Sequence, residues 1–526
     1  MRIRIVGTGV MGRGIAQWAA VAGHTVELAD ARPESVTEAV GFVRGMLERA
    51  AHKGRMSQDE AAAALERLVP LESPYAAPGD GGIGGGDDAA GAPGLVIEAV
   101  REDLETKAGL FTELAKVLPA GTVFATNTSS LSVTEIGARL SDPGRLAGLH
   151  FFNPVPLMRI AEVVPGAATR EDVPDLLTRF VESCGHRAVT VADTPGFLVN
   201  HAGRGLVTEA LALLEESVAG PADLDAVARD VLGLRMGPFE LMDLTGLDVT
   251  ASVIDTIWRG FRHSDRLRPS YLTANRVTAG LHGRKTGRGF HPYGPDAPAD
   301  AAAPTAPPAG GDAGRPVAVV GEGADADALR AALGVRPQAA PGARDLLLVP
   351  TWGGTVAAAV AAHALPADRT LGVDPLSLGT ARRVLAVTPA VSPEAVRDAV
   401  AVLADLPVPG LAAGPDAVRE PSAVTVVRDT AGSVAQRLLA SIVSVAASIA
   451  ERHIAAPADI DVAVTAGLGY PQGPLAWGDR IGAGRLLALH RALHATTGDP
   501  RYRPTRWVTE RAQLGLPLSA PDTPLP

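Results

Sequence analysis

The sequence predicts an α/β fold combined with all-α regions: an N-terminal doubly wound sheet, a helical domain, a degenerate second α/β domain and a second helical domain. Three observations predict this class. Five short apolar runs alternate with Ala-, Leu- and Glu-rich helical stretches through about residue 190. From residue 194 to about residue 281 the apolar residues recur at helical spacing instead. Both patterns then return in the second half of the chain, so we predict an internal duplication.

The first apolar run, residues 3–6, leads through Gly7-Thr-Gly-Val-Met-Gly12 into a helical stretch. In such a turn Gly7 permits the tight bend, Gly9 lets the backbone approach a pyrophosphate, and Gly12 lets helix and strand pack closely. A second predicted strand ends at Asp30, the distance at which an acidic residue binds the adenine ribose. A glycine-rich turn in another α/β protein would not explain Asp30.

We therefore predict a Rossmann-type domain over residues 1–190, with further strands at residues 26–29, 95–99, 123–126 and 146–150. The predicted cofactor-binding residues of the turn and second strand are Gly7, Gly9, Val10, Met11, Gly12 and Asp30. Because the Asp30 carboxylate would repel a 2′-phosphate, NAD is predicted rather than NADP. A Gly-, Asp- and Pro-rich segment from Ala76 to Gly94 is predicted to be a surface loop, and since no strand leads into it, we do not interpret its glycines as a phosphate loop.

Residues 191–293 are predicted to form a helical domain for substrate binding or dimerisation, and the Pro- and Ala-rich residues 294–315 an extended linker. The helical domain then repeats at one constant spacing. Asp193-Thr-Pro-Gly196 returns as Asp429-Thr-Ala-Gly432, Pro221-Ala-Asp-Leu-Asp225 returns as Pro457-Ala-Asp-Ile-Asp461, and Gly237-Pro238 returns as Gly473-Pro474. Residues 426–526 are therefore predicted to be a second helical domain.

Residues 316–425 are predicted to be a shortened, degenerate Rossmann-like domain. Val317-Ala-Val-Val-Gly-Glu-Gly323 resembles the first strand and glycine turn, but Ala326 stands where the third glycine is expected. Nucleotide binding by this domain stays an open alternative, although the lost glycine favours a structural remnant.

Composition narrows the possible partners and location. The 526 residues carry a net charge of -10, which gives no general attraction to nucleic acid or anionic membranes. Cys184 is the single cysteine, so an intrachain disulfide is excluded and a reducing compartment is indicated. No signal peptide, membrane-spanning apolar run or metal-binding motif is recognised, and we expect a cytoplasmic protein.

The segment from His150 to Glu162 contains a candidate acid–base pair. His150 follows an apolar strand, and strand ends at the carboxyl edge of such a sheet are where ligands bind. A carboxylate beside an imidazole fixes its tautomer and stabilises the imidazolium that forms when the other ring nitrogen accepts a proton. Oxidation of an alcohol requires such a base, although a histidine at a strand end is by itself more often structural.

Five motifs together resemble the L-3-hydroxyacyl-CoA dehydrogenase family: Gly7-Thr-Gly-Val-Met-Gly12, Asn127-Thr-Ser-Ser-Leu131, His150-Phe-Phe-Asn-Pro154, Asp193-Thr-Pro-Gly-Phe197 followed by Asn200, and Gly237-Pro-Phe-Glu-Leu241. The resemblance covers residues 1–293. It implies reversible NAD-dependent oxidation of an L-3-hydroxyacyl-CoA. The tandem arrangement resembles bacterial members that act on 3-hydroxybutyryl-CoA or on 3-hydroxyadipyl-CoA, the latter associated with phenylacetate breakdown.

The resemblance also implies residue roles. His150 would be the general base and Glu162 its orienting partner, while Ser129 and Asn200 would hydrogen-bond the substrate oxygens. Glu102 and Lys107 would approach the cofactor, and Lys53 would meet the anionic CoA portion. An exposed charged residue is more often only solubilising, which is the alternative for these last three positions.

The second half lacks part of this set. Gln436 takes the repeat position of Asn200, and no His–Glu segment is found in the middle domain. We therefore expect one active site per chain, with the repeat replacing a helical surface used for dimerisation; a homodimer of this chain is possible. Two alternatives stay open from sequence: an NAD-dependent dehydrogenase of a free hydroxy acid or sugar acid, and a non-catalytic nucleotide-binding protein.

Overall fold

The structure is a computed structural model that describes residues 1–78, 91–294, 297–298, 302–337, 341–407 and 422–523. Most of the loop predicted between Ala76 and Gly94 lies outside the described residues, as does the segment 408–421. The chain divides into two compact units, Met1–Asn200 with Arg452–Leu468, and His201–Glu451 with Gly469–Pro526. The first unit thus takes one segment from within the predicted second helical domain.

The described residues form thirteen β-strands. They are β1 (Arg2–Val6), β2 (Thr25–Ala29), β3 (Leu68–Pro70), β4 (Leu95–Glu98), β5 (Val123–Thr126), β6 (Leu146–Phe151), β7 (Ile160–Pro165), β8 (Arg187–Thr190), β9 (Val317–Val319), β10 (Leu346–Pro350), β11 (Thr370–Val373), β12 (Arg382–Val387) and β13 (Ala423–Arg428).

The same residues form twenty α-helices. They are α1 (Val10–Val21), α2 (Pro33–His52), α3 (Gln58–Glu66), α4 (Leu104–Val117), α5 (Val133–Gly137), α6 (Asp172–Ser183), α7 (Val199–Ala202), α8 (Arg204–Glu215), α9 (Pro221–Asp230), α10 (Pro238–Thr245), α11 (Leu247–Gly260), α12 (Tyr271–Thr278), α13 (Ala324–Leu333), α14 (Val356–His363), α15 (Pro393–Ala404), α16 (Ser433–Glu451), α17 (Pro457–Leu468), α18 (Pro474–Ile481), α19 (Ala483–Thr497) and α20 (Arg506–Leu514).

The first unit is built on an eight-stranded sheet in the order β3-β2-β1-β4-β5-β6-β7-β8. Its first six strands have the 3-2-1-4-5-6 order of dinucleotide-binding folds, in which the ligand lies outside the carboxyl ends of β1 and β4. The predicted Rossmann-type sheet is confirmed. The sheet is mixed, however, because β6 and β7 are antiparallel while the other neighbouring strands are parallel.

Apolar side chains from one face of this sheet form the large core cluster of the first unit. Ile3 and Ile5 of β1, Ile97 of β4 and Leu149 of β6 are fully buried and pack with residues of α1 and α6. Central strands buried on both faces read as nearly continuous apolar runs, which is why the sequence located them. The core therefore fixes the strand ends that carry Gly7, Asp30 and His150.

The second unit contains a five-stranded sheet in the order β13-β12-β11-β10-β9. Its strands β11 and β12 are antiparallel and the other neighbours are parallel. The order and directions match those of β4 to β8 in the first sheet. Strand β9 thus lies at the edge and corresponds to β4, not to β1 as its glycine turn suggested, and strands equivalent to β1, β2 and β3 are absent from the described part of this sheet.

The helical duplication is visible in matching helix bounds. Helix α10 begins at Pro238 and α18 at Pro474, and each is followed by a glycine with positive φ, Gly246 at 94° and Gly482 at 93°. Helices α11 and α19 then begin at the next residue in both copies. The predicted repetition of the helical region is therefore confirmed.

Helices α8 and α16 pack closely within the second unit. A Cβ on Gly205 would lie 2.9 Å from Ile442 Cα and from Ser441 O, so only glycine allows this approach. Arg437 on α16 is fully buried and donates to Glu209 and Tyr502 at 2.6 Å each. Among the described helices, Ser433–Glu451 alone is long and apolar enough to cross a membrane, but 94% of its apolar window is buried within the protein.

Parts of the predicted linker contact the second unit rather than extending freely. Thr305 donates from its amide and its hydroxyl to the Asp223 carboxylate, at 2.8 Å each. The amide of Asp312 donates to Asp398 on α15 at 2.8 Å. These contacts fix the described end of the linker before β9.

Candidate active site

The glycine turn between β1 and α1 has the geometry that its residue types require. Gly7 has φ of 95°, and a Cβ there would lie 2.5 Å from Ala99 O. A Cβ on Gly12 would lie 1.8 Å from Gly7 O, whereas one on Gly9 would meet no described atom within 4 Å. Gly7 and Gly12 are therefore needed by the protein itself, and the space in front of Gly9 is left for a ligand.

A cavity of about 1110 Å³ opens at this turn in the first unit. It is lined by Gly7, Gly9 and Val10 of the turn, by Asp30 at the end of β2, and by Ala99 and Val100 after β4. Met11 instead packs against the core, and Gly12 is buried behind the turn. The lining lies at the carboxyl ends of β1 and β4, where dinucleotides bind in this topology.

Asp30 is held with its carboxylate at this cavity. One oxygen accepts from the amide and the hydroxyl of Thr8 at 2.8 and 3.0 Å, and the other accepts from the Arg32 amide at 3.2 Å. Arg13, Arg32 and Arg101 also line the cavity. A glycine cradle at a helix N-terminus, nearby guanidinium groups and a fixed carboxylate suit the pyrophosphate and the adenine ribose of NAD.

His150 and Glu162 face each other across the antiparallel pair β6–β7. His150 Nδ1 lies 2.5 Å from Glu162 Oε2, and both side chains are buried. The other Glu162 oxygen accepts from the amides of Leu198 and Val199 at 3.0 and 2.8 Å. Because a carboxylate only accepts hydrogen bonds, it places the proton on Nδ1 and leaves Nε2 to take a proton.

Ser129 lies on the other side of the imidazole. Its Oγ is 3.2 Å from His150 Nε2, and the serine is exposed. Phe152 and Phe197 flank the ring, with centroids 4.6 and 5.6 Å from that of His150. The structure therefore brings together Ser129, His150 and Glu162, with His150 Nε2 within hydrogen-bond distance of the serine hydroxyl.

Phe197 and Asp193 belong to this arrangement, although sequence reasoning treated them only as parts of a motif. Phe197 has φ of 49°, an uncommon value outside glycine that directs the following amides to Glu162. Asp193 accepts from the Ser132 hydroxyl and from the amides of Val133 and Thr134, which caps α5 after the Ser129 loop. Asn200 follows Val199 on α7, so the Glu162 contacts also fix its backbone position.

The remaining predicted residues lie outside the cavity lining. Lys107 is buried and forms an ion pair with Glu98 at 2.6 Å, while Glu102 hydrogen-bonds the loop that carries Ser129. Burial raises the pKa of the Glu98 carboxyl, and the Lys107 charge opposes that shift. Lys53 is exposed immediately after α2 and is not among the residues around His150.

Neither a metal cluster nor a reactive thiol is found at this site. The described residues contain no group of three His, Cys, Asp or Glu side chains able to hold a metal ion. Burial raises the pKa of the Cys184 thiol to about 11, so it carries no nucleophilic thiolate near neutral pH.

The second sheet contains a remnant of the same arrangement with other residues. Gly372 pairs with Ala386 as Gly148 pairs with Val164, so Asp374 takes the position of His150 and Val384 that of Glu162. Asp429 accepts from the amides of Val356 and Ala357, as Asp193 does at α5, which places Trp352 at the Ser129 position. Gln436, the counterpart of Asn200, donates to Asp374 at 2.9 Å. This remnant has no His–Glu pair.

Comparisons with known proteins agree with this description. The family model of the 3-hydroxyacyl-CoA dehydrogenase NAD binding domain matches residues 2–194, and that of the 3-hydroxyacyl-CoA dehydrogenase C-terminal domain matches residues 196–293 and 432–518. The second match covers both helical copies.

The chain is 34% identical over 514 residues to 3-hydroxyadipyl-CoA dehydrogenase of Escherichia coli K12, covering 97% of both chains. It is 36% identical to a probable 3-hydroxybutyryl-CoA dehydrogenase of Bacillus subtilis, covering 56% of this chain and 97% of that protein. The crystal structure of 3-hydroxybutyryl-CoA dehydrogenase from Escherichia coli K12 is similar with a TM-score of 0.83 and 33% identity over 98% of each chain. The chain belongs to the 3-hydroxyacyl-CoA dehydrogenase family of NAD-dependent oxidoreductases.

Proposed function

We propose that this chain oxidises short-chain or dicarboxylic L-3-hydroxyacyl-CoA esters, such as 3-hydroxybutyryl-CoA or 3-hydroxyadipyl-CoA, and that His150 is the general base. The observation that carries the proposal is the buried Glu162–His150 pair, whose free nitrogen lies 3.2 Å from the Ser129 hydroxyl. A substrate hydroxyl that lies beside these two groups, about 3 Å from each, could hydrogen-bond to both.

In this mechanism His150 Nε2 takes the proton of the 3-hydroxyl. Glu162 holds Nδ1–H and stabilises the imidazolium that results. Ser129 hydrogen-bonds the reacting oxygen, and Asn200 hydrogen-bonds a second substrate oxygen. Bound NAD supplies the hydride acceptor for C3. In reduction His150 returns the proton to the 3-oxo oxygen.

We further propose that the ligands are small molecules and that the enzyme acts in the cytoplasm. The net charge of -10 gives no general affinity for nucleic acid or anionic lipid, and the one cysteine suits a reducing compartment. Helices α8 and α16 pair Gly205 with its own repeat position, Ser441, as in an interface related by twofold symmetry. A homodimer of the full chain would therefore use another surface.

The acyl specificity is tested by following NADH absorbance with 3-hydroxybutyryl-CoA and 3-hydroxyadipyl-CoA, each with NAD and with NADP. We expect turnover with NAD on at least one ester, and the ratio of the kcat/KM values identifies the preferred acyl group. No turnover of either ester by protein that binds NAD would contradict the proposal and favour a free hydroxy acid as substrate.

A further inference from the structure

The loop that carries Ser129 is held by one oxygen of Glu102. Glu102 Oε1 accepts from the Thr128 hydroxyl at 2.6 Å, from the amides of Ser129 and Ser130 at 2.8 and 2.9 Å, and from the Ser130 hydroxyl at 2.9 Å. Glu102 precedes α4, whereas the loop follows β5. A single carboxylate oxygen therefore links two segments that are distant in sequence and fixes the backbone on both sides of Ser129.

Glu102 is itself held by an ion pair with Lys107. Lys107 Nζ lies 3.3 Å from Glu102 Oε2 and 2.6 Å from Glu98 Oε1. Glu98 is anchored in turn by the Val100 amide and the Thr126 hydroxyl, at 2.6 Å each. Lys107 is 1% exposed, so its ammonium has two carboxylates as ionic partners inside the protein. This arrangement leaves Glu102 little freedom to move toward a ligand.

The negative charge of Glu102 strengthens its hydrogen bonds with the Ser129 loop. Burial opposes ionisation of Glu102, but the Thr128 hydroxyl, the Lys107 charge and the loop amides together hold its pKa below the usual value. Glu102 is thus a carboxylate at neutral pH, and charge-assisted hydrogen bonds to a carboxylate are stronger than neutral ones.

We propose that Glu102, held by Lys107, is a positioning residue that fixes the Ser129 loop against His150. The proposal rests on the proposed roles of Ser129 and His150. The Ser129 hydroxyl lies 3.2 Å from His150 Nε2, and a displacement of about 1 Å in such a contact is enough to reduce turnover about 10²-fold.

The first test compares four variants: Glu102→Ala, Ser129→Ala, the double variant, and Glu105→Ala as a control. Glu105 lies in the first turn of α4, three residues after Glu102, with an exposed side chain that pairs only with Arg139 in the described structure, at 3.3 Å. If Glu102 acts through Ser129, Glu102→Ala lowers kcat by about 10–100-fold, the double variant is within about twofold of Ser129→Ala, and Glu105→Ala equals the wild type. Glu102→Gln, which keeps an acceptor oxygen, restores part of the rate.

Cofactor binding separates this role from a direct NAD contact. We expect the NAD Kd of Glu102→Ala, measured by calorimetry, to stay within about twofold of the wild type. A tenfold weaker Kd, with kcat restored at saturating NAD, would overturn the proposal. So would additive losses in the double variant.

Amide hydrogen exchange of the apoprotein provides a readout that does not depend on activity. Glu102→Ala should accelerate exchange at the Ser129 and Ser130 amides and leave exchange in β6 unchanged; unchanged exchange at both serines would overturn the proposal. If the wild type oxidises no 3-hydroxyacyl-CoA while exchange responds as expected, the proposed function fails, but the claim that Glu102 fixes the Ser129 loop stands.

If both the wild type and Ser129→Ala are active, the claim that Glu102 supports catalysis through Ser129 is wrong, and the proposed function stands.

Discussion

Glu162 is the residue on which the geometry of the acid–base pair depends. It is fully buried and uses both oxygens, one for His150 and one for the amides of Leu198 and Val199. A buried carboxylate left without these partners would be strongly destabilising, so the pair and the backbone turn after Phe197 stabilise each other. The same contacts that hold the fold at this point thus also orient the His150 imidazole.

The buried carboxyl of Asp374, at the His150 position of the second sheet, predicts a pH dependence of the stability. It is fully buried, and burial raises its pKa from 3.8 to about 6 despite hydrogen bonds from Gln436 and Leu376. The folded state therefore retains a proton that the unfolded state has lost between these pH values. Stability contributed by this group is complete below pH 4 and is lost as pH rises to about 6.

Asp374→Asn removes this penalty because the carboxamide oxygen accepts the same two hydrogen bonds. We expect the variant to be more stable than the wild type by up to about 3 kcal/mol above pH 7, with the difference shrinking toward pH 4. Thermal unfolding at pH 4.5 and pH 8 measures it, with the exposed Asp368→Asn as a control. A variant less stable than the wild type at pH 8 would show that the carboxylate is required.

At the scale of elements, the glycines of the turn between β1 and α1 differ in the space around them, and this difference predicts different effects of substitution. A methyl on Gly12 would meet Gly7 O at 1.8 Å, so Gly12→Ala should lower the apoprotein Tm by about 3–10 °C and abolish NAD binding. A methyl on Gly9 meets no described atom within 4 Å, so Gly9→Ala should keep the Tm and weaken NAD binding by at least about tenfold. Calorimetry and thermal unfolding distinguish the two. Wild-type NAD affinity in Gly9→Ala would exclude this turn as the pyrophosphate site.

The strands that the sequence located are the central, continuously apolar ones, and those that it missed have physical reasons. Strand β3 has three residues, and β8 has four with both ends exposed. Strand β7 carries Glu162 in its middle, which breaks the apolar pattern. Its antiparallel register with β6 comes from tertiary structure, and no spacing rule predicts that His150 and Glu162 face each other.

The sequence predicted site residues correctly where they belong to a local motif. It did not predict the contacts of side chains whose partners lie in distant segments of the chain. Gly7, Gly9 and Asp30 line the cavity as the turn motif predicts. Lys107 and Glu102 belong to an exposed-looking charged stretch, yet Lys107 is buried and Glu102 binds a loop beyond β5. That pairing depends on a neighbouring strand, which local sequence cannot reveal. Their predicted contact with the cofactor stays a prediction.

At the scale of the whole molecule, the second sheet repeats the order of strands β4 to β8 but does not repeat the dinucleotide site. In the second sheet β9 is at the edge, so the described residues provide no β1–β4 switch point for a dinucleotide. Asp325 and Asp327 occupy the first turn of α13, where they would repel phosphate, and Arg330 donates to Val319 O and Gly321 O in the turn itself. The middle domain is thus unsuited to the cofactor.

This asymmetry predicts the binding stoichiometry. Titration calorimetry of the full chain with NAD should give one equivalent per chain. Gly9→Ala should remove this binding, whereas Gly323→Ala, in the glycine turn between β9 and α13, should leave it unchanged. Two equivalents, or a loss of binding in Gly323→Ala at an unchanged Tm, would show that the second half retains a nucleotide site.

The role of His150 as the general base is tested by the activity of His150→Asn. The Asn amide can still donate to Glu162 in place of Nδ1, so the buried carboxylate keeps a partner, but no group remains to take the substrate proton. With the acyl-CoA ester that the wild type prefers and saturating NAD, we predict a kcat reduced by about 10²–10⁴-fold at an unchanged NAD Kd and Tm. A kcat within about threefold of the wild type would contradict the assignment of His150 as the base.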